Sequence, residues 1–182
     1  MRPDLRPGRG WLRVGWRCLG AVTVLAGALV GCGSASPGSS ADPFPDVALT
    51  AASDGGAEIA TGDWVGEPLV VNFWYSTCAP CTKELTDFAE VHAEVGDDVR
   101  LVGVNPLDGT DTMIEFAAAR GVTYELFRDE LAELQMALEI TSFPATVFVD
   151  AAGQVVDTTG VLDADELRDE IDELRDTSGA TT

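Results

Sequence analysis

The sequence predicts an α/β domain in which a mixed central sheet is flanked by helices, opened by an N-terminal hairpin and closed by a second hairpin and a helix. Three observations predict it. The run Leu69-Val70-Val71-Asn72-Phe73-Trp74 is apolar on both alternating faces, as a central strand covered on each side requires. After it, segments of helical and of strand periodicity alternate. Near the end, Thr146–Val149 and Gln154–Thr159 are separated by the turn Asp150-Ala151-Ala152-Gly153, which reads as an antiparallel hairpin and makes the sheet mixed.

Each element has its own justification. Between Phe44 and Pro68, Val47-Ala48-Leu49 and Glu58-Ile59-Ala60 flank a Ser53-Asp54-Gly55-Gly56 turn, a short hairpin. After Leu69–Trp74, a helix carries Leu85, Phe88, Val91 and Val95 on one stripe and stops at Gly96. Val99–Val104 is the next strand. Thr110/Asp111 cap a helix through Arg120 that ends at Gly121, and Tyr124–Arg128 is a short strand. Asp129 caps a helix bearing Leu131, Leu134 and Leu138. The last helix starts at Asp163-Ala164-Asp165-Glu166, a capping-box pattern, and buries Leu167, Ile171 and Leu174.

The ends of the chain have a different character. Residues 1–31 read as an export signal: scattered arginines, then 13 apolar-rich residues from Cys18 to Val30. That length fits a signal core and falls short of the roughly 20 residues a membrane span needs. The stretch ends Leu29-Val30-Gly31-Cys32, which resembles the bacterial lipobox; cleavage before Cys32 would leave it as a lipid-carrying N-terminus. Residues 32–43 read as a flexible tether, small and polar, with a root-mean-square reach of roughly 18 Å. The domain is expected over 44–176, with 177–182 frayed. These boundaries predict a lipid-anchored protein at the outer face of the cell membrane.

Composition excludes other classes. The formal charge is −20 over 182 residues. Without the first 31 residues, 6 basic side chains face 30 acidic ones, a balance of −24. A nucleic-acid partner would need a basic footprint, and this chain has none. Of four cysteines, Cys18 leaves with the signal and Cys32 carries lipid, so Cys78 and Cys81 remain. A disulfide framework needs more pairs, and a zinc site needs two further ligands where the chain has the single histidine His92. Neither a metal nor another cofactor is expected beyond the redox-active Cys78–Cys81 pair.

The chemistry concentrates in Cys78-Ala79-Pro80-Cys81, between the apolar strand and the helix that follows. Two cysteines three apart at a helix start lie on one face, so their sulfurs pair or open with little backbone movement. The unpaired N–H groups and positive dipole end at that start favour a thiolate at Cys78. Pro80 suits the first turn, where its missing N–H is no loss. A static disulfide across so small a loop would stabilise the fold little. Dithiol–disulfide exchange is the expected chemistry, with Cys78 attacking and Cys81 resolving.

Strand, CxxC and helix, with a later proline before another strand, resemble thioredoxin, and most closely the membrane-anchored TlpA/ResA-type thiol–disulfide oxidoreductases. Asn72 to Cys81, NFWYSTCAPC, looks like that family's NFWxxWCxPC. Thr141-Ser142-Phe143-Pro144-Ala145-Thr146 stands in the place of its cis-proline loop, and the segment near 107–130 in the place of its inserted helix–strand unit. Thr77 stands where the family has tryptophan, which alters the substrate surface, and Thr86 where proline often follows. The resemblance implies a thioredoxin-like fold with Pro144 cis and the Phe143 backbone offered to a substrate strand; Trp74, Ala79 and Pro80 complete the substrate-contacting set. Asn72 occupies the position of thioredoxin's buried acid. Glu84, one turn after Cys81 on the face continued by Phe88 and Val91, is the candidate proton acceptor in its stead. The implied function is a reductase of exported cysteine pairs such as those of apo-cytochrome c, fed by a membrane electron donor. An oxidant that inserts disulfides into secreted proteins is the alternative, and a non-catalytic binding lipoprotein a third reading, against which both intact cysteines speak. A peroxiredoxin fits less well, because Tyr75 stands where its threonine would be.

Overall fold

The computed structural model describes residues 42–53 and 55–179. The expected export signal, Cys32, most of the tether and the last three residues lie outside the described residues. Among the described residues, seven strands form one mixed sheet: β1 (Ala48–Ala51), β2 (Glu58–Ala60), β3 (Leu69–Phe73), β4 (Arg100–Asn105), β5 (Glu125–Arg128), β6 (Ala145–Val149) and β7 (Val155–Thr159). Their order across the sheet is β2-β1-β5-β4-β3-β6-β7. The trio β5, β4 and β3 is parallel, while the pairs β3–β6, β6–β7, β5–β1 and β1–β2 are antiparallel. The helices are α1 (Ala79–Val95), α2 (Thr110–Ala118), α3 (Glu133–Ala137) and α4 (Ala164–Gly179).

β3 lies between β4 and β6, and all five of its residues are buried. Its two-residue period splits the core. Val70 and Trp74 pack with Leu85, Phe88 and Val91 of α1 and Leu167, Ile171 and Leu174 of α4. Leu69, Val71 and Phe73 face the other way, among Leu49, Trp64, Phe127, Leu134 and Val147. A side chain as fully buried as Phe88 contributes about 1.5–3 kcal/mol.

The ends of the elements follow their residues. α1 stops where Gly96 takes a positive φ of 60° and its N–H closes on the His92 carbonyl. The capping box of α4 is reciprocal: Asp163 Oδ1 accepts from the Asp165 and Glu166 N–H groups, and Glu166 Oε2 accepts from Asp163 N–H.

Four expectations need correcting. Gly109 precedes α2, so Thr110 is its first helical residue, and the helix ends at Ala118 where the chain tightens into the Gly121 turn. Ala132 rather than Asp129 is the N-cap of α3, although the Asp129 carboxylate accepts from Glu133 and Gln135 N–H, and the helix has only five residues. Leu131 therefore stays outside it and 74 % exposed, because Ala132 adopts a left-handed conformation first. Asp42 and Pro43 belong to the sheet rather than the tether: Asp42 C=O accepts from Val155 N–H and Pro43 bridges Gln154. At the other end α4 continues through 177–179, with the Thr177 hydroxyl donating to the Glu173 carbonyl.

Candidate active site

The site lies where β3 ends and α1 begins. The Cys78 N–H donates to the Tyr75 carbonyl, closing a tight turn over Ser76 and Thr77. Cys78 is in extended conformation at the N-cap of α1, with Pro80 in the first turn. Its sulfur accepts from Cys81 N–H at 3.3 Å and is bonded to Cys81 Sγ, the two Cα atoms 5.3 Å apart. The sulfur of the first cysteine thus serves as the helix cap, which is the geometry that stabilises a thiolate when the disulfide opens. Cys81, one turn in, is fully buried; Cys78 is 4 % exposed and sits beneath the exposed Ala79, Pro80 and Thr77.

Glu84 is brought to the same buried layer. It is 1 % exposed, an uncommon environment for a carboxyl. Two donors hold it: Asn72 Nδ2 from β3 reaches Oε2 at 3.1 Å, and Leu162 N–H, just before α4, reaches Oε1 at 3.0 Å. Asn72 also donates to Thr146 Oγ1 of β6 at 3.2 Å, so one amide ties strand, helix and neighbouring strand together. Burial pushes the Glu84 carboxyl up to about 7; the hydrogen bonds from Leu162 and Asn72 pull it partly back, and Asp87 adds to the rise. The phenol of Tyr124, buried nearby, is also pushed up, first by burial and then by the Glu84 charge.

The second loop is that of Phe143 and Pro144, joined by a cis peptide bond. Pro144 is buried and Phe143 half-buried, and the Phe143 ring meets Tyr75 edge-on with centroids 5.2 Å apart. Tyr75 thus links the cysteine loop to the proline loop. Trp74, expected to contact substrate, has no exposed surface. It follows the even register of β3 into the core and stacks on Phe116 of α2, with the Arg120 guanidinium also over that ring and bonded to the Thr82 carbonyl of α1. Trp74 supports the site from beneath. A cleft of about 310 Å³ lined by His92, Arg100 and Tyr124 lies at the beginning of β4, the opposite end of the parallel pair from the cysteines.

Asp108, in the β4–α2 loop, is the residue that sequence reasoning missed. It binds Ser76 twice, accepting from its N–H at 2.6 Å and its hydroxyl at 2.7 Å, and takes a third bond from Asn105 Nδ2 at 2.8 Å. The available signal was Asn105-Pro106-Leu107-Asp108 at the end of a buried strand, a polar turn with no other task. Among the described residues, no cluster of three or more His, Cys, Asp or Glu side chains is arranged for a metal, and no helix is long and apolar enough to cross a membrane.

Comparison with known proteins fits this arrangement. Residues 41–158 match the AhpC/TSA family. Sporulation thiol-disulfide oxidoreductase A of Bacillus subtilis (strain 168) is 28 % identical over 109 residues, which are 57 % of this chain and 66 % of that protein. Thiol-disulfide oxidoreductase ResA of the same organism is 25 % identical over 166 residues, covering 89 % of this chain and 90 % of the relative. Among solved structures, MTB dsbF superimposes with a TM-score of 0.64 at 28 % identity, covering 70 % of this chain and 94 % of that one. The chain belongs to the AhpC/TSA family, as a thiol–disulfide oxidoreductase of the TlpA/ResA type with a thioredoxin-like fold.

Proposed function

We propose that this protein is an extracytoplasmic disulfide reductase, held at the outer face of the cell membrane by lipid on Cys32. Its substrates are exported proteins with oxidised cysteine pairs, apo-cytochrome c among them, and a membrane electron donor re-reduces it. In the forward reaction the Cys78 thiolate attacks a substrate disulfide, forming a mixed disulfide and expelling one substrate thiolate. Cys81 then passes its proton to Glu84 and attacks Cys78 Sγ, closing the Cys78–Cys81 disulfide and releasing the second substrate sulfur as a thiolate, which takes up a proton from solvent. Two electrons move from the dithiol to the substrate. The Phe143–Pro144 loop offers its backbone to the substrate strand beside Ala79 and Pro80.

One observation supports the reducing direction: beyond its place at the helix cap, little is arranged to stabilise a Cys78 thiolate. Among the described residues its sulfur accepts one hydrogen bond, from Cys81 N–H. Lys83, the fifth residue of α1, is 77 % exposed and paired with Asp87. A strong oxidant of this fold owes its potential to a stabilised reduced form. The equilibrium potential of the pair in a dithiothreitol or glutathione buffer tests the reading. A value near −270 mV is expected, and one near −120 mV would overturn it in favour of a disulfide-forming oxidant. Intact mass of membrane-extracted protein tests the anchor: loss of residues 1–31 with an added lipid mass supports it, and an unmodified Met1 start overturns it.

A further inference from the structure

We propose that Asp108 is a positioning residue for the nucleophile, gripping the turn that presents Cys78. The inference rests on Cys78 being the attacking cysteine. The turn has Tyr75 and Cys78 at its corners, closed by the Cys78 N–H bond to the Tyr75 carbonyl at 3.2 Å. Ser76 is its first central residue, and both of that residue's donors end on the Asp108 carboxylate, at 2.6 and 2.7 Å. Bonds to a charged acceptor at these lengths are about twice as strong as neutral ones. The carboxylate is itself fixed. Asn105, fully buried at the end of β4, donates to it from Nδ2, while its Oδ1 accepts from the Leu107 and Asp108 N–H groups. A continuous chain of hydrogen bonds therefore runs from the sheet through Asn105, Asp108 and Ser76 to the turn before Cys78.

The consequence differs between redox states. In the oxidised protein the disulfide also holds Cys78, by linking it to Cys81 in α1. Reduction removes that link, and the Asp108 grip becomes the chief restraint on the turn. The attacking form is the reduced one. Its thiolate depends on the Cys78 sulfur staying at the helix cap, within reach of Cys81 N–H. Loosening the turn lets the sulfur leave that position and its acidity return toward that of an ordinary thiol, near 8.5.

The test is iodoacetamide alkylation of the reduced full-length protein across pH, with each cysteine followed by mass spectrometry, alongside reduction of a model disulfide. In wild type the label should enter at Cys78; entry at Cys81 instead would overturn the nucleophile assignment rather than the role of Asp108. Asp108→Ala should raise the pH midpoint of Cys78 alkylation and slow disulfide reduction about tenfold at neutral pH. Asp108→Asn can keep all three contacts, its oxygen accepting from Ser76 N–H and Asn105 and its amide donating to the Ser76 hydroxyl. It should restore the midpoint and bring the rate within about threefold of wild type. Ser76→Ala removes one of the two bonds and should fall between; added to Asp108→Ala it should cost nothing further. An unmoved midpoint in Asp108→Ala, or an Asp108→Asn protein as impaired as the alanine variant, overturns the proposal. If Asp108→Ala does not fold, the Ser76→Ala midpoint decides: a rise supports the proposal and no change overturns it.

Discussion

Replacing Glu84 by glutamine should change how stability depends on pH, and the structure sets the size of the change. Raising a buried carboxyl from 4.5 to about 7 means that ionising it in the folded protein costs about 3 kcal/mol more than in the unfolded chain. Because the folded value is the higher one, this cost is absent below about pH 4.5, grows between there and about 7, and is complete above. Glutamine is neutral throughout and avoids it. The replacement also fits. Its oxygen can accept from Leu162 N–H, and its amide can face Asn72, whose Oδ1 is buried without a partner among the described residues and becomes an acceptor if that amide turns over. Urea unfolding of the oxidised proteins measures the effect without interference from thiol titration. The advantage of Glu84→Gln over wild type should increase by about 3 kcal/mol between pH 4.5 and 8. At a typical slope of about 2 kcal/mol/M, that is about 1.5 M in midpoint. Parallel stability curves across that range would refute the buried, titrating carboxyl.

Three further outcomes are expected. In stopped-flow exchange with a model disulfide, wild-type resolution should rise through a midpoint near pH 7, and Glu84→Gln should lose that rise and run about tenfold slower above it. The factor is modest because a thiol near 8.5 is already a few per cent ionised at neutral pH. Cys81→Ser should accumulate mixed disulfides through Cys78, visible on non-reducing gels, whereas Cys78→Ser should trap none. Gly103→Ala places a methyl 2.7 Å from Leu126 Cδ2 and 2.9 Å from Trp74 Nε1, so it should destabilise the fold by about 1–3 kcal/mol and shift tryptophan fluorescence.

What could be read from the sequence follows from which interactions are local. The α1 stripe, the Gly96 stop and the α4 capping box each depend on residues within a turn or two of one another, and pattern alone located them. Glu84 was accessible because three residues along a helix from Cys81 fixes its face. Its partners were not, since Asn72 and Leu162 reach it across 12 and 78 residues of chain. Leu131 misled because an apolar residue at helical spacing suggests burial, and the left-handed Ala132 that excludes it has no propensity signal. Trp74 fits a reading as active-site packing and not as a substrate contact. Adjacency to the CxxC suggests contact with substrate, but strand alternation sends its ring into the core. Asp108 escaped notice because its meaning depends on a loop 32 residues away.

These partners divide the two cysteines between two independent supports, and the division can be tested. Asp108 and Ser76 are bonded at the turn ahead of Cys78; Glu84, held by Asn72 and Leu162, is buried three residues along α1 from Cys81. The two sets share no hydrogen bond among the described residues. If attack depends on the first set and resolution on the second, as proposed, their effects should fall on different steps. In single-turnover kinetics Asp108→Ala should slow mixed-disulfide formation and leave the pH midpoint of resolution in place. Glu84→Gln should do the reverse, and the double variant should show both defects, each within about twofold of its single-variant size. Should Asp108→Ala move the resolution midpoint, or the double variant depart from the product of the two by tenfold, the supports are one network, and the separation argued from their hydrogen bonds is wrong.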